Sequence, residues 1–133
     1  MIKKISINSA AKIMALLLLS SLLFHLLILT GLIPYSAVWG GRLENRTQMY
    51  RFETFSIVIN LYMLLVISVK GALLRINIPG QIITLSLWLF FILYSLNSIG
   101  NLLSANIWET VLFTPLTLLA ALLSFRLAIE KES

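Results

Sequence analysis

Few side chains in this 133-residue sequence can do chemistry, and their scarcity narrows the choices at once. The acids are all glutamates: Glu44, Glu53, Glu109, Glu130 and Glu132. His25 is the only histidine, and cysteine and aspartate are absent. A thiolate nucleophile, a disulfide and a Cys/His zinc site are therefore excluded, and one chain cannot assemble a Ser-His-Asp triad. What is left is carboxylate acid–base chemistry, a lone imidazole, and amides and guanidinium groups that bind polar ligands. No metal or cofactor is expected.

Spacing groups these residues into faces. Glu53, Ser56 and Asn60 recur at intervals of three and four, so they share one side of a helix. Phe90, Tyr94, Asn97 and Asn101 share a side by the same rule, as do Thr110, Thr114, Thr117, Ala121 and Ser124. Ser21 and His25 stand four apart. Glu109 follows Asn106 by three residues, in the arrangement of a capping box with Asn in place of Ser or Thr. Glu53 has Tyr50 at that position instead, so it needs water, an arginine or a ligand. The segment Trp39-Gly40-Gly41-Arg42 adds two glycines that permit close backbone approach, and a guanidinium fork suited to carboxylate or phosphate. The candidate ligand site is therefore Glu53 as the charged group, Asn97 and Asn101 as orienting amides and Arg42 as counter-ion, with Glu109, Asn60 and Trp39 around them. A plainer reading stands beside it. Small and hydroxyl residues let membrane helices approach closely, and amides bond across helices.

The elements that must position these residues are membrane helices. Hydrophobic residues make up 59% of the chain and charged residues 11%, against about 25% charged in a soluble domain. Four spans are expected at approximately 13–33, 53–74, 81–100 and 107–125. The fold is then all-α, a four-transmembrane-helix bundle running up-down-up-down as a single membrane domain. His25 falls near the middle of the first span and Glu53 at the outer edge of the second. The first apolar run is longer than that of a signal peptide and no A-x-A site follows it, so it reads as a retained anchor.

Lys3, Lys4, Lys12, Lys70, Arg75, Arg126 and Lys131 fall on the side of the termini, and Arg42, Arg46 and Arg51 on the other. This bias puts both termini in the cytoplasm. The net charge of +5 thus reports topology and contact with lipid headgroups, not nucleic acid. Asn45-Arg46-Thr47 matches the glycosylation sequon, which matters only in a eukaryotic secretory pathway.

A weak internal repeat is also present. Phe52-Glu53-Thr54-Phe55 and Trp108-Glu109-Thr110-Val111 are each followed by a cation, Lys70 or Arg126, 17 residues after the Glu. Two helical hairpins related by an axis along the membrane normal would carry such a pattern. So would the macrodipole, which favours an acid at the start of each helix and a cation at its end.

Val38-Trp39-Gly40-Gly41-Arg42-Leu43, Met49-Tyr50, Phe52-Glu53-Thr54, Asn97-Ser98-Ile99-Gly100-Asn101 and Phe113-Thr114-Pro115-Leu116-Thr117 together resemble small bacterial four-helix integral membrane proteins with a Trp-Gly-Gly-Arg outer loop. The resemblance covers most of the chain, implies a bacterial inner membrane, and brings no activity with it. The small multidrug-resistance transporters share the size and span number but carry a Glu inside the first span, where this chain has only His25.

Three functional readings follow. The first is binding or transport of a small polar or amphipathic ligand near the external ends of spans two to four. The second is an accessory subunit without ligand, packed against a second copy or another membrane protein. The third is a lipid-acting enzyme using Glu53 and Glu109, for which no triad or metal cluster is available.

Overall fold

The computed structural model describes residues 4–37, 43–104 and 107–130. Four helices carry the fold: α1 Ile7–Leu29, α2 Arg46–Lys70, α3 Gly80–Leu102 and α4 Thr114–Ile129. A π-helical segment, Glu109–Phe113, leads directly into α4, and a short 3₁₀ turn covers Tyr35–Ala37. The segments Ile7–Leu29, Arg46–Lys70, Gly80–Leu102 and Glu109–Ile129 are each long and apolar enough to cross a membrane. The protein is a four-helix bundle of membrane-spanning type.

Local chemistry sets the helix limits, and these differ from the limits of the apolar runs. Ser6 caps α1 by accepting from the Ser9 N–H at 3.0 Å, so the helix starts six residues before the uncharged run. It ends before Pro34, because Gly31 adopts a positive φ of 87° and its N–H bonds the Ile28 carbonyl. Asn45, half of the glycosylation sequon, is instead the N-cap of α2 and accepts from the Gln48 N–H at 2.9 Å. Gln48 reaches back to the Glu44 N–H at 2.9 Å, so two otherwise unbonded donors are satisfied reciprocally. α2 therefore begins seven residues before the expected edge of the second span. It stops at Lys70 because Gly71 caps it and Ala72 turns to a φ of 59°.

The π segment has a cause in sequence. Pro115 lacks an N–H and cannot donate back to the preceding turn, and the backbone accommodates the loss by widening just before it.

Cross-links fix the arrangement. Asn8 donates to the Gly71 carbonyl at one end of α1 and α2, and His25 meets Glu53 near the other. Ring contacts pair Phe24 with Phe113, while Arg126 Nε donates to the Ile5 carbonyl at 2.8 Å, so α1 and α4 are antiparallel. Ser98 donates to Thr117, and Phe91 packs on Phe125, which makes α3 and α4 antiparallel. Tyr62 and Ser86 hydroxyls bond at 2.6 Å between α2 and α3. The order is up-down-up-down, with α1 packed most closely on α2 and α3 on α4. Both ends of the described chain lie at one end of the bundle, called the terminal end below. The opposite end is the distal end.

The two halves differ in what fills them. The main apolar core comprises Met14 and Leu18 of α1, Met63 and Ile67 of α2, Ile83 and Leu87 of α3, and Leu123 and Leu127 of α4, with smaller residues among them. All of these belong to the terminal half. Among the described residues, the distal half has a small apolar cluster of Ile28, Leu43 and Met49. Large apolar side chains such as Leu16, Phe55, Leu85 and Leu103 stand exposed around the outside, as a lipid-facing surface requires.

Candidate functional site

The inner face of α2 reads Met49, Glu53, Asn60, Met63 and Ile67, all buried. Glu53 has no exposed surface at all, and it sits two turns inside the helix rather than at its edge. An ionised or protonated carboxyl in that position needs a partner, because lipid tails and apolar side chains offer none. One partner is His25. The Nδ1 of His25 lies 2.5 Å from Oε2 of Glu53, across the α1–α2 contact. His25 is not mid-span: α1 ends at Leu29, so the imidazole lies one turn from the distal end, on the face that includes Met14, Leu18 and Ile28. Its side chain is 20% exposed. Phe24 and Phe113 stack beside it with ring centroids 5.1 Å apart, closing the α1–α4 side.

Glu109 belongs to the same end. It is 5% exposed, in the first turn of the π segment whose last residue, Phe113, touches Phe24. Its expected capping partner Asn106 lies outside the described residues. So do Trp39, Gly40, Gly41 and Arg42, and with them the expected roof of the site.

The remaining candidates separate into two kinds. Asn101 and the threonine stripe form a hydrogen-bonded seam between α3 and α4. Thr117 Oγ1 accepts from Ser98 at 3.0 Å and from Asn101 Nδ2 at 3.3 Å, while Thr110 donates to the Asn101 carbonyl at 2.8 Å. The stripe faces inward: Ala121 and Ser124 are buried. Asn97 does not share this face. Ser98 takes the buried position, and Asn97 stands on the exposed side of α3.

Asn60 is different again. It is 7% exposed, its Nδ2 donates to the Ser56 carbonyl at 2.9 Å, and its Oδ1 is buried without a partner among the described residues. Thr114 Oγ1 and Ser124 Oγ are buried and unpartnered in the same sense. Buried acceptors of this kind are satisfied by water or by a bound group.

A cleft of about 390 Å³ opens at the distal end between the close of α1 and the start of α2. Ile28, Gly31, Pro34, Tyr35, Arg46 and Met49 are among its lining residues. Ile28 follows His25 by three residues and Met49 precedes Glu53 by four, so the cleft lies one turn beyond the His25–Glu53 pair. Neither Glu53 nor Glu109 lines it.

No protein-family model matches this chain. No curated protein and no solved structure matches it either. The site must be read from its own chemistry. Among the described residues no group of three or more His, Cys, Asp or Glu could hold a metal ion. The distal interior offers a carboxylate–imidazole pair, a second buried carboxyl and a cleft one turn beyond the pair, and the unsatisfied amide oxygen of Asn60 lies two turns deeper along α2. That combination can exchange a proton and hold a polar group.

The pairing of His25 was the part the sequence reading missed. The signal was there: a buried acid with no cap requires a donor, and His25 is the one titratable residue on the inner face of the neighbouring helix.

Proposed function

We propose that this chain is a small multi-pass membrane protein that binds or carries a small polar or amphipathic ligand in the distal half of its bundle. One observation carries the reading: a fully buried Glu53 paired with His25 inside an apolar bundle. Burying an ionisable pair costs desolvation that offsets much of its mutual attraction, and ionisable groups within the bilayer tend to mark pathways and binding sites. Asn60 and Glu109 extend the polar interior, and the α1–α2 cleft supplies the approach. The distribution of Lys and Arg favours cytoplasmic termini. The resemblance to small bacterial four-helix membrane proteins favours an inner-membrane location, with the distal end outward.

The test is native mass spectrometry of the protein extracted gently from its host membrane, as wild type and as Glu53→Gln. A stoichiometric small molecule retained by wild type and lost from a folded Glu53→Gln supports the reading. Equal retention, or no ligand in either, removes it.

A second reading rests on Asn97. Its amide stands on the exposed face of α3, and no hydrogen bond to it is present among the described residues. An amide facing lipid gains from bonding to another helix. That supports association with a second copy or another membrane protein, as in an accessory subunit.

A further inference from the structure

The imidazole of His25 is held at one nitrogen only. Nδ1 is taken by Glu53, and among the described residues the ring makes no second hydrogen bond. Glu53 is wholly buried, whereas a fifth of the His25 side chain remains exposed. The hydrogen bond at one ring nitrogen decides the state of the other. An imidazolium would carry a proton at Nε2, whereas a carboxylate that accepts from Nδ1–H of a neutral imidazole leaves Nε2 as a bare lone pair. This is the arrangement by which a carboxylate orients a histidine that serves as a base or a ligand.

We infer that His25 Nε2 is the ligand-contacting atom of the distal site and that it accepts a hydrogen bond from a donor-bearing headgroup, an ammonium or a hydroxyl, of an amphipathic molecule. The inference rests on the proposed ligand-binding function and adds the ligand's chemical class. Two features give the class. Nε2 with a bare lone pair accepts and does not donate. The cleft one turn beyond the pair, which His25 itself does not line, combines the apolar Ile28, Leu29 and Ile33 with Thr30, Tyr35 and Arg46, a mixed surface suited to the rest of an amphipathic molecule. Glu53 is a positioning residue: it fixes the tautomer and orientation of the ring and is not itself offered to the ligand.

Because His25 is the only histidine, ring-¹⁵N-histidine labelling reports this one side chain. The protein is placed in phosphatidylcholine nanodiscs, whose headgroup has no N–H or O–H donor. A single neutral tautomer, protonated at Nδ1 and bare at Nε2, is expected. Dodecylammonium and dodecanol should each shift the Nε2 resonance, and dodecyltrimethylammonium, a cation without a donor, should not. Nanodiscs containing phosphatidylethanolamine separate a lipid headgroup from a free amphiphile as the source. A shift there without added amphiphile assigns the role to lipid, and a shift only with the free probes assigns it to a soluble amphiphile. In a folded Glu53→Gln variant the single tautomer should give way to a mixture.

An Nε2–H tautomer in wild type overturns the inference. So does a bare Nε2 that no donor probe moves. Either failure leaves the proposed function standing if mass spectrometry still finds a ligand lost in Glu53→Gln. The wild-type titration stands alone should that variant not fold.

Discussion

Gly71, just past the end of α2, packs directly on Ala11 of α1, with no room for a Cβ between them. The two helices approach so closely here that the Asn8 side chain reaches the Gly71 carbonyl at 3.3 Å. Gly71→Ala must therefore force the helices apart or displace Ala11. Overpacking of this kind costs about 1–3 kcal/mol. Unfolding in mixed micelles of a mild detergent and dodecyl sulfate should show a lower midpoint for Gly71→Ala. Gly100, where a Cβ meets nothing within 4 Å, provides the control: Gly100→Ala should leave the midpoint unchanged or raised.

The His25–Glu53 pair predicts strong non-additivity. Removing one partner of a buried charged pair costs about 3–5 kcal/mol where nothing else compensates the group left behind, whereas an apolar replacement of both is near neutral. His25→Leu should therefore destabilise the bundle markedly. His25→Leu combined with Glu53→Leu should recover most of the loss while abolishing ligand retention. Additive single effects in the double-mutant cycle would show that the pair is not coupled.

Asn97 predicts an association that is separable from folding. Asn97→Leu should leave the unfolding midpoint of the monomer intact. It should weaken self-association by about 1–2 kcal/mol if an amide crosses between copies. Energy transfer between labelled copies diluted in lipid measures this directly. An unchanged transfer curve would assign Asn97 no role between copies of this chain.

Sidedness follows from the loops. The chain lacks cysteine, so single cysteines report cleanly. With an impermeant maleimide on intact cells, Glu44→Cys should label and Ser6→Cys should label only after lysis. The opposite pattern would reverse the orientation inferred from Lys and Arg.

The architecture was legible because hydropathy is a strong and redundant signal over each span. The limits were not, because they depend on single polar residues. Asn45 and Gln48 lengthen α2 and carry Glu53 two turns inside, and Gly31 shortens α1 so that His25 lies near its end. Both shifts bring the two side chains to one level. Helical spacing placed Glu53, Ser56 and Asn60 together on α2, and it placed the threonine stripe correctly on one face of α4. It failed to separate Asn97 from Ser98. Residues one apart differ by only about 100° around a helix, and polarity pointed to the wrong one. Glu53 and Glu109 are both buried at the distal end, as either a repeat or the macrodipole would place them. Lys70 and Arg126 both bond Glu130 at the other, the first to its carbonyl at 2.8 Å and the second to its carboxylate at 3.1 Å.

The apolar packing of the terminal half sets an electrical limit. Beyond His25 and Glu53 an ion from the distal surface would meet the uncharged polar groups Asn60, Ser86 and Ser124, set among Met14, Leu18, Met63, Ile67, Leu87 and Leu123. Moving a bare charge into such a medium costs on the order of 20 kcal/mol in the idealised continuum estimate. Packing of this kind would insulate the two ends of the bundle from each other: a charge that reached the pair would pass no further unless the helices of the terminal half parted, and a membrane's stored voltage would survive the presence of the site.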